Sequence, residues 1–154
     1  MADVLSQFCE KTFMSVRSDQ NINSEYELLE DKFVGLGPFG AIVSAFQKNP
    51  NIAWLVVACD LPLLDEDSLQ FLVENRNASQ LATAFHNPET NFPEPLITIW
   101  EPKSYQVLLQ FLAQGYSCPR KVLINSEIEL LQLEDSKVLM NVNDKEGFDQ
   151  VKKM

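Results

Sequence analysis

Cysteine, histidine and glycine are all scarce in this 154-residue chain, with three, one and five residues respectively. The cysteines (Cys9, Cys59, Cys118) are odd in number, far apart and form no CxxC pair. That spacing excludes a disulfide framework and a zinc-ribbon site, and fits a reducing cytoplasm. No apolar run approaches the ~20 residues that a membrane span needs. The opening MADVLSQFCEK shows no basic stretch followed by an apolar block, so no secretory signal is visible in it. Cations are also few. Twelve Lys and Arg stand against 22 Asp and Glu, a net charge of −10. Nucleic-acid binding through a broad basic face is excluded on that count, because phosphates must be neutralised by clustered cations. A small anionic ligand would have to rely on local donors.

The 45% hydrophobic and 22% charged content are those of a globular protein, and the length suits one domain, 1–154, with its own core. Val4, Leu5 and Phe8 stand at helical spacing, and Thr12–Arg17 (TFMSVR) reads as a strand. SDQNINSEYE is a polar loop. The segment DKFVGLGPFG then places three of the five glycines (Gly35, Gly37, Gly40) within six residues, with Pro38 at a helix start. Phe39, Ile42, Val43 and Phe46 predict a helix over Pro38–Lys48, ended by Asn49-Pro50. Ala53–Cys59 is apolar throughout, as expected of a parallel strand covered on both faces. Leu69, Leu72 and Val73 mark a further helix, whose first-turn acids Asp65, Glu66 and Asp67 complement its dipole and cap its N–H groups. Strands near Leu81–Phe85 and Leu96–Trp100 bracket the loop HNPETNFPEP. Helices follow over Pro102–Gln114 and after Pro119, then candidate strands in IELLQL and KVLMNV and a terminal helix in DKEGFDQVKKM. Alternating strands and helices predict an α/β fold.

In such folds ligands collect at the carboxyl ends of strands. Asp60, the glycine loop and Asn141–Asp144 fall at such ends. Asp60 at the mouth of an apolar strand suits Mg²⁺, which takes one or two carboxylates and completes its shell with water and phosphates. It equally suits a strand that simply ends in water. GLGPFG lets a ligand approach backbone beside a helix N-terminus. It matches neither GxGxxG nor GxxxxGK[ST], so a tight turn that merely starts a helix accounts for it as well. His86 has no serine or cysteine at a recognisable motif spacing and reads as a loop residue. Arg120, in SCPR, either binds phosphate or sits in water.

Several segments in order, GLGPFGAIVSAF, WLVVACDLPLL, the loop ending PEPL, GYSCPRKVL and LMNVND, resemble the molybdenum cofactor guanylyltransferases. The resemblance runs from about Thr12 to the C-terminus. It implies a Rossmann-like α/β fold with a mixed, mostly parallel sheet and helices on both faces. It also implies a soluble cytoplasmic enzyme that joins GMP from Mg²⁺–GTP to the molybdopterin cofactor, releasing pyrophosphate. By the same resemblance Asp60 is the catalytic, Mg²⁺-holding aspartate, and Gly37 and Pro38 belong to the nucleotide-side loop. Pro95, Arg120, Asn141 and Asn143 lie near the pterin or its phosphate. The chain departs from the family pattern in two places. Ala41 stands where the family's GPLAG or GPLGG ends in glycine. Nothing before Thr12 corresponds to the first strand and its LAGGxSxRMGxDK loop, which cradles the triphosphate. That strand lies mid-sheet in the family, so its absence implies impaired turnover. It further implies open edges on TFMSVR and AWLVVAC, resolved by homodimerisation, by rearrangement, or by a longer native chain. Two other functions stay open: a non-catalytic pterin-binding module, and a transferase for CTP or a sugar phosphate.

Overall fold

The computed structural model describes residues 5–17, 26–33, 35–58 and 64–133. Six strands and four helices are set out in this part of the chain. In order they are β1 (Phe13–Arg17), β2 (Glu27–Asp31), α1 (Pro38–Lys48), β3 (Trp54–Val57), α2 (Glu66–Glu74), β4 (Ala82–Asn87), β5 (Phe92–Trp100), α3 (Ser104–Ala113), α4 (Pro119–Ile124) and β6 (Glu129–Leu131). The expected strand KVLMNV and the expected terminal helix lie outside the described residues. Of the expected first helix, the described part is a turn in which Phe8 N donates to Leu5 O at 3.0 Å.

The strands form two sheets. β1 and β2 pair in parallel, and the second sheet has the order β3-β5-β4-β6. Within it β4 and β6 are parallel, while β5 runs against both β3 and β4. The architecture is the mixed α/β one expected, with β5 reversed because a hairpin rather than a crossover helix joins it to β4. Alternation along the strands sorts the core. Ala82, Ala84 and Trp100 join Phe39, Ile42, Val43 and Phe46 of α1, Leu108 of α3 and Val122 and Leu123 of α4. Phe85, Ile97 and Ile99 face the other way, onto Leu69 and Leu72 of α2. Helices therefore cover both faces of the larger sheet. β3 obeys the same rule, with Trp54 and Val56 on one cluster and Leu55 and Val57 on the other.

α1 is built as its spacing requires. Pro38 opens it, and Phe39, Ile42, Val43 and Phe46 are all but fully buried, each contributing about 1.5–3 kcal/mol. Lys48 complements the carbonyl end. α2 opens on Asp65, whose Oδ1 accepts from Ser68 N at 2.8 Å, the capping role expected of it.

The course of α1 orients the whole arrangement. Its last residue, Lys48, lies over the Phe13 ring and 3.6 Å from Glu27, at the amino ends of β1 and β2. Just beyond, Asn49 O accepts from Trp54 Nε1 at 3.1 Å, and the Trp54 and Phe13 rings are 5.5 Å apart. The amino ends of β1, β2 and β3 thus gather at one end of α1. Their carboxyl ends point toward the end where α1 begins.

Four strands differ from the sequence expectation. The first is β3, expected in a parallel ladder, which instead pairs antiparallel with β5, since the β4–β5 hairpin turns β5 against it. β2 occupies ELLED, a segment with no apolar alternation to announce it; only Leu29 is buried. β4 and β5 extend into the expected loop, so His86 is a strand residue, paired in register with Pro93.

Candidate functional site

The glycine loop sits at the carboxyl end of β2. Gly37 precedes α1 with φ 57° and ψ −139°, a conformation that an L side chain rarely adopts, and caps the helix through no side chain. Gly35 also has positive φ, at 79°. Pro38 is exposed beside them. Proline at the first helical position takes one N–H out of the opening turn and Ala41 N reaches Gly37 O at 3.4 Å, which leaves the N–H groups of Phe39 and Gly40 as the ones without a helical acceptor.

Asp31, the last residue of β2, fixes this loop. Its Oδ1 accepts from Phe33 N at 2.8 Å and from Ser44 Oγ at 3.3 Å, while Ser44 Oγ in turn accepts from Lys32 N at 3.0 Å. Gly40 lies so close that a Cβ there would stand 2.9 Å from Asp31 Oδ1 and 3.0 Å from Phe33 O. Of the two glycines in GPFG, one therefore serves the turn and the other a close helix–carboxylate contact. Asp31 is not among the residues that the sequence singles out. Its local signal is no more than an acid just ahead of a glycine loop, since ELLED does not read as a strand.

At the end of β3 the structure brings in Pro95. The β4–β5 ladder pairs Ala84 with Thr98 and then His86 with Pro93, so four β5 residues bulge opposite Phe85. Within the bulge Pro95 is buried, and Leu96 O accepts from Ala58 N at 2.8 Å, directly after β3. Bulges of this kind re-aim side chains beside functional sites. Asp60, which follows two residues later, and Asn141 and Asn143 lie outside the described residues. Arg120 projects from α4 with its guanidinium over the Phe92 ring, Cζ 5.9 Å from the centroid. Its Nε is buried and has no partner among the described residues.

Among the described residues no three His, Cys, Asp or Glu side chains come together as a metal cage. Mg²⁺ needs only one or two carboxylates beside substrate oxygens. Asp31 is already engaged with Phe33 and Ser44, and Asp60, the carboxylate expected for Mg²⁺, lies outside the described residues. A further buried charge was not foreseen. Glu101, 1% exposed, accepts from Arg76 Nε at 2.8 Å and from Arg76 Nη2 at 2.7 Å. This bidentate pair ties the loop after α2 to the start of α3, and the hydrogen bond to Glu101 holds the Arg76 pKa above its ordinary value.

A sheet covered by helices on both faces, beside a two-stranded parallel sheet whose carboxyl end carries a glycine loop and a helix N-terminus, fits the framework of nucleotide-handling α/β domains. The chain belongs to the MobA-like NTP transferase domain family, whose model matches residues 1–131. It is 28% identical over 152 residues to a Synechocystis protein named "Molybdenum cofactor biosynthesis bifunctional protein", covering 97% of this chain and 44% of that one. It is 28% identical over 131 residues to a Carboxydothermus hydrogenoformans protein named "Probable molybdenum cofactor guanylyltransferase", covering 80% and 65%. The chain thus spans about half to two thirds of the length of these relatives. Among solved structures, molybdopterin-guanine dinucleotide biosynthesis protein A of Archaeoglobus fulgidus superposes with a TM-score of 0.67 at 22% identity, over 85% of this chain and 71% of that one. A protein of Aquifex aeolicus superposes with a TM-score of 0.76 at 12% identity, over 93% and 76%. Both share the fold. No helix among the described residues is long and apolar enough to cross a membrane.

Proposed function

We propose that this chain acts as a molybdenum cofactor guanylyltransferase, moving GMP from Mg²⁺–GTP to the molybdopterin cofactor. The observation that carries the reading is the Asp31-held loop, which sets Gly37 at positive φ and opens α1 toward the carboxyl edge of the strands. In this reading the backbone at Gly37 and Pro38 admits the nucleotide, and the N–H groups of α1 face its anionic part. Asp60 holds the Mg²⁺, which would offset phosphate charge. Pro95 and Arg120 face the pterin side together with Asn141 and Asn143. Little covalent chemistry is asked of the protein, since transfer depends on aligning two anions and neutralising them. The net charge of −10 makes local cations such as Arg120 correspondingly important.

The test is pyrophosphate release from Mg²⁺–GTP in the presence of molybdopterin, run beside calorimetric titrations with GTP and CTP. GTP-dependent release that falls on Asp60→Asn supports the reading. Release from CTP alone would move the protein to cytidylyl transfer. A second reading, a pterin-binding module without turnover, is favoured by the unpartnered Arg120 Nε beside Phe92. It requires pterin affinity without GTP affinity, lost on Arg120→Ala.

A further inference from the structure

The β4–β5 hairpin carries polar groups that the sheet does not use. Asn91 at its tip holds φ 60°, uncommon for a residue with a side chain and concentrated at functional positions. Phe92 follows with 43% of its surface exposed, and the Arg120 guanidinium lies over its ring. Across the hairpin Asn87 pairs in register with Phe92. Its Oδ1 is committed to Glu89 N at 3.0 Å, which leaves Nδ2 to donate to Glu94 Oε2 at 3.2 Å. Glu94 is thereby oriented at the edge of the bulge, half-buried, and its carboxylate takes no further hydrogen bond among the described residues.

A carboxylate held by the residue paired with an exposed aromatic ring, two positions along the same strand from that ring, with a guanidinium over the ring, complements a particular ligand. The carboxylate accepts two parallel N–H donors, the ring stacks on a flat heterocycle, and the guanidinium pairs with phosphate. The 2-amino-4-oxopyrimidine edge presents two such donors side by side, and guanine and pterins share it. We infer that Glu94 reads this edge and sets specificity for the 2-amino group, with Phe92 as the platform and Asn87 holding the carboxylate in place. The inference rests on the transferase reading, and it names the chemistry by which that site would recognise its heterocycle.

The experiment measures discrimination rather than affinity alone. Calorimetry compares GTP with ITP, which lacks the 2-amino group, and pterin-6-carboxylate with its 2-oxo lumazine analogue. The unsubstituted chain is expected to favour the 2-amino member of at least one pair by about tenfold, the scale of a hydrogen bond to a charged group. Glu94→Gln brings that ratio to near unity. Asn87→Ala, which frees the carboxylate but keeps its charge, lowers the ratio part of the way and serves if Glu94→Gln melts early. Loss in the GTP–ITP pair identifies guanine as the occupant, and loss in the pterin pair identifies the pterin; either supports the inference. An unchanged ratio in Glu94→Gln overturns the role of Glu94 while leaving the transferase reading intact. No binding of any of the four compounds to the unsubstituted chain overturns both.

Discussion

Replacing Gly40 by alanine puts a methyl group where the loop has no space for one. The added carbon would stand 2.9 and 3.1 Å from the two Asp31 carboxylate oxygens and 3.0 Å from the Phe33 carbonyl oxygen. The carbonyl is backbone and cannot swing aside. The carboxylate can, but only by giving up its bonds to Phe33 N and Ser44 Oγ. Overpacking of this kind costs about 1–3 kcal/mol. Each lost hydrogen bond adds about 0.5–1.5 kcal/mol. Alanine returns about 1 kcal/mol through helix propensity. The balance is a destabilisation of about 3 kcal/mol, which lowers Tm by roughly 6–12 °C in a domain of this size. Urea unfolding at unchanged m-value measures it. Making the same change in an Asp31→Ala background should cost about 1 kcal/mol less, since only the Phe33 contact then remains. A Gly40→Ala chain as stable as the parent, or more stable, would show that the carboxylate does not press on this helix turn. The account of how the loop is held would then be wrong.

Arg76→Ala leaves Glu101 buried without its cation and should cost about 2–3 kcal/mol in urea unfolding. That is toward the low end for a broken buried pair, because the arginine is half exposed. Glu27 is held below its ordinary pKa of 4.5, chiefly by its bond to Lys11 and further by the Lys48 charge. Its contribution to stability is therefore full above pH 4.5 and fades as pH falls through the lowered value. The Tm difference between the parent and Glu27→Gln should shrink along that same range. Burial pushes the Cys9 thiol up, while Cys118 is exposed. Peptide mapping after brief iodoacetamide treatment near neutral pH should find Cys118 modified well before Cys9.

The helix α1 was legible because proline, an apolar stripe and Asn-Pro mark its start, face and end without conflict. β3 was legible as an apolar run, but its partners were not, since a run covered on both faces does not say which strand lies beside it. β2 was missed because ELLED carries charge at three of its five positions. β5 was placed too late because Pro93 and Pro95 read as loop residues, whereas the ladder accommodates them beside and within a bulge. The site shows the same division. Positive φ at Gly37 follows from local composition. The Asp31–Gly40 contact and the Asn87–Glu94 bond join residues 9 and 7 positions apart through the fold, and no local pattern records them.

The smaller sheet, finally, has few attachments of its own among the described residues. Two strands alone are marginal in water, and β1 and β2 bury only Val16 and Leu29 among their apolar side chains. α1 packs against β2 as well as β3, and the Lys48, Phe13 and Trp54 contacts close the other end. That makes α1 the fastening on which the smaller sheet depends. The free energy needed to open β1 and β2 locally is then set by one helix face and lies below that of global unfolding. Amide hydrogens in the β1–β2 ladder should exchange by such partial opening, while those between β4 and β5 wait for the whole molecule to unfold. A ligand that binds at the start of α1 would slow the first kind of exchange and leave the rank order of the two unchanged.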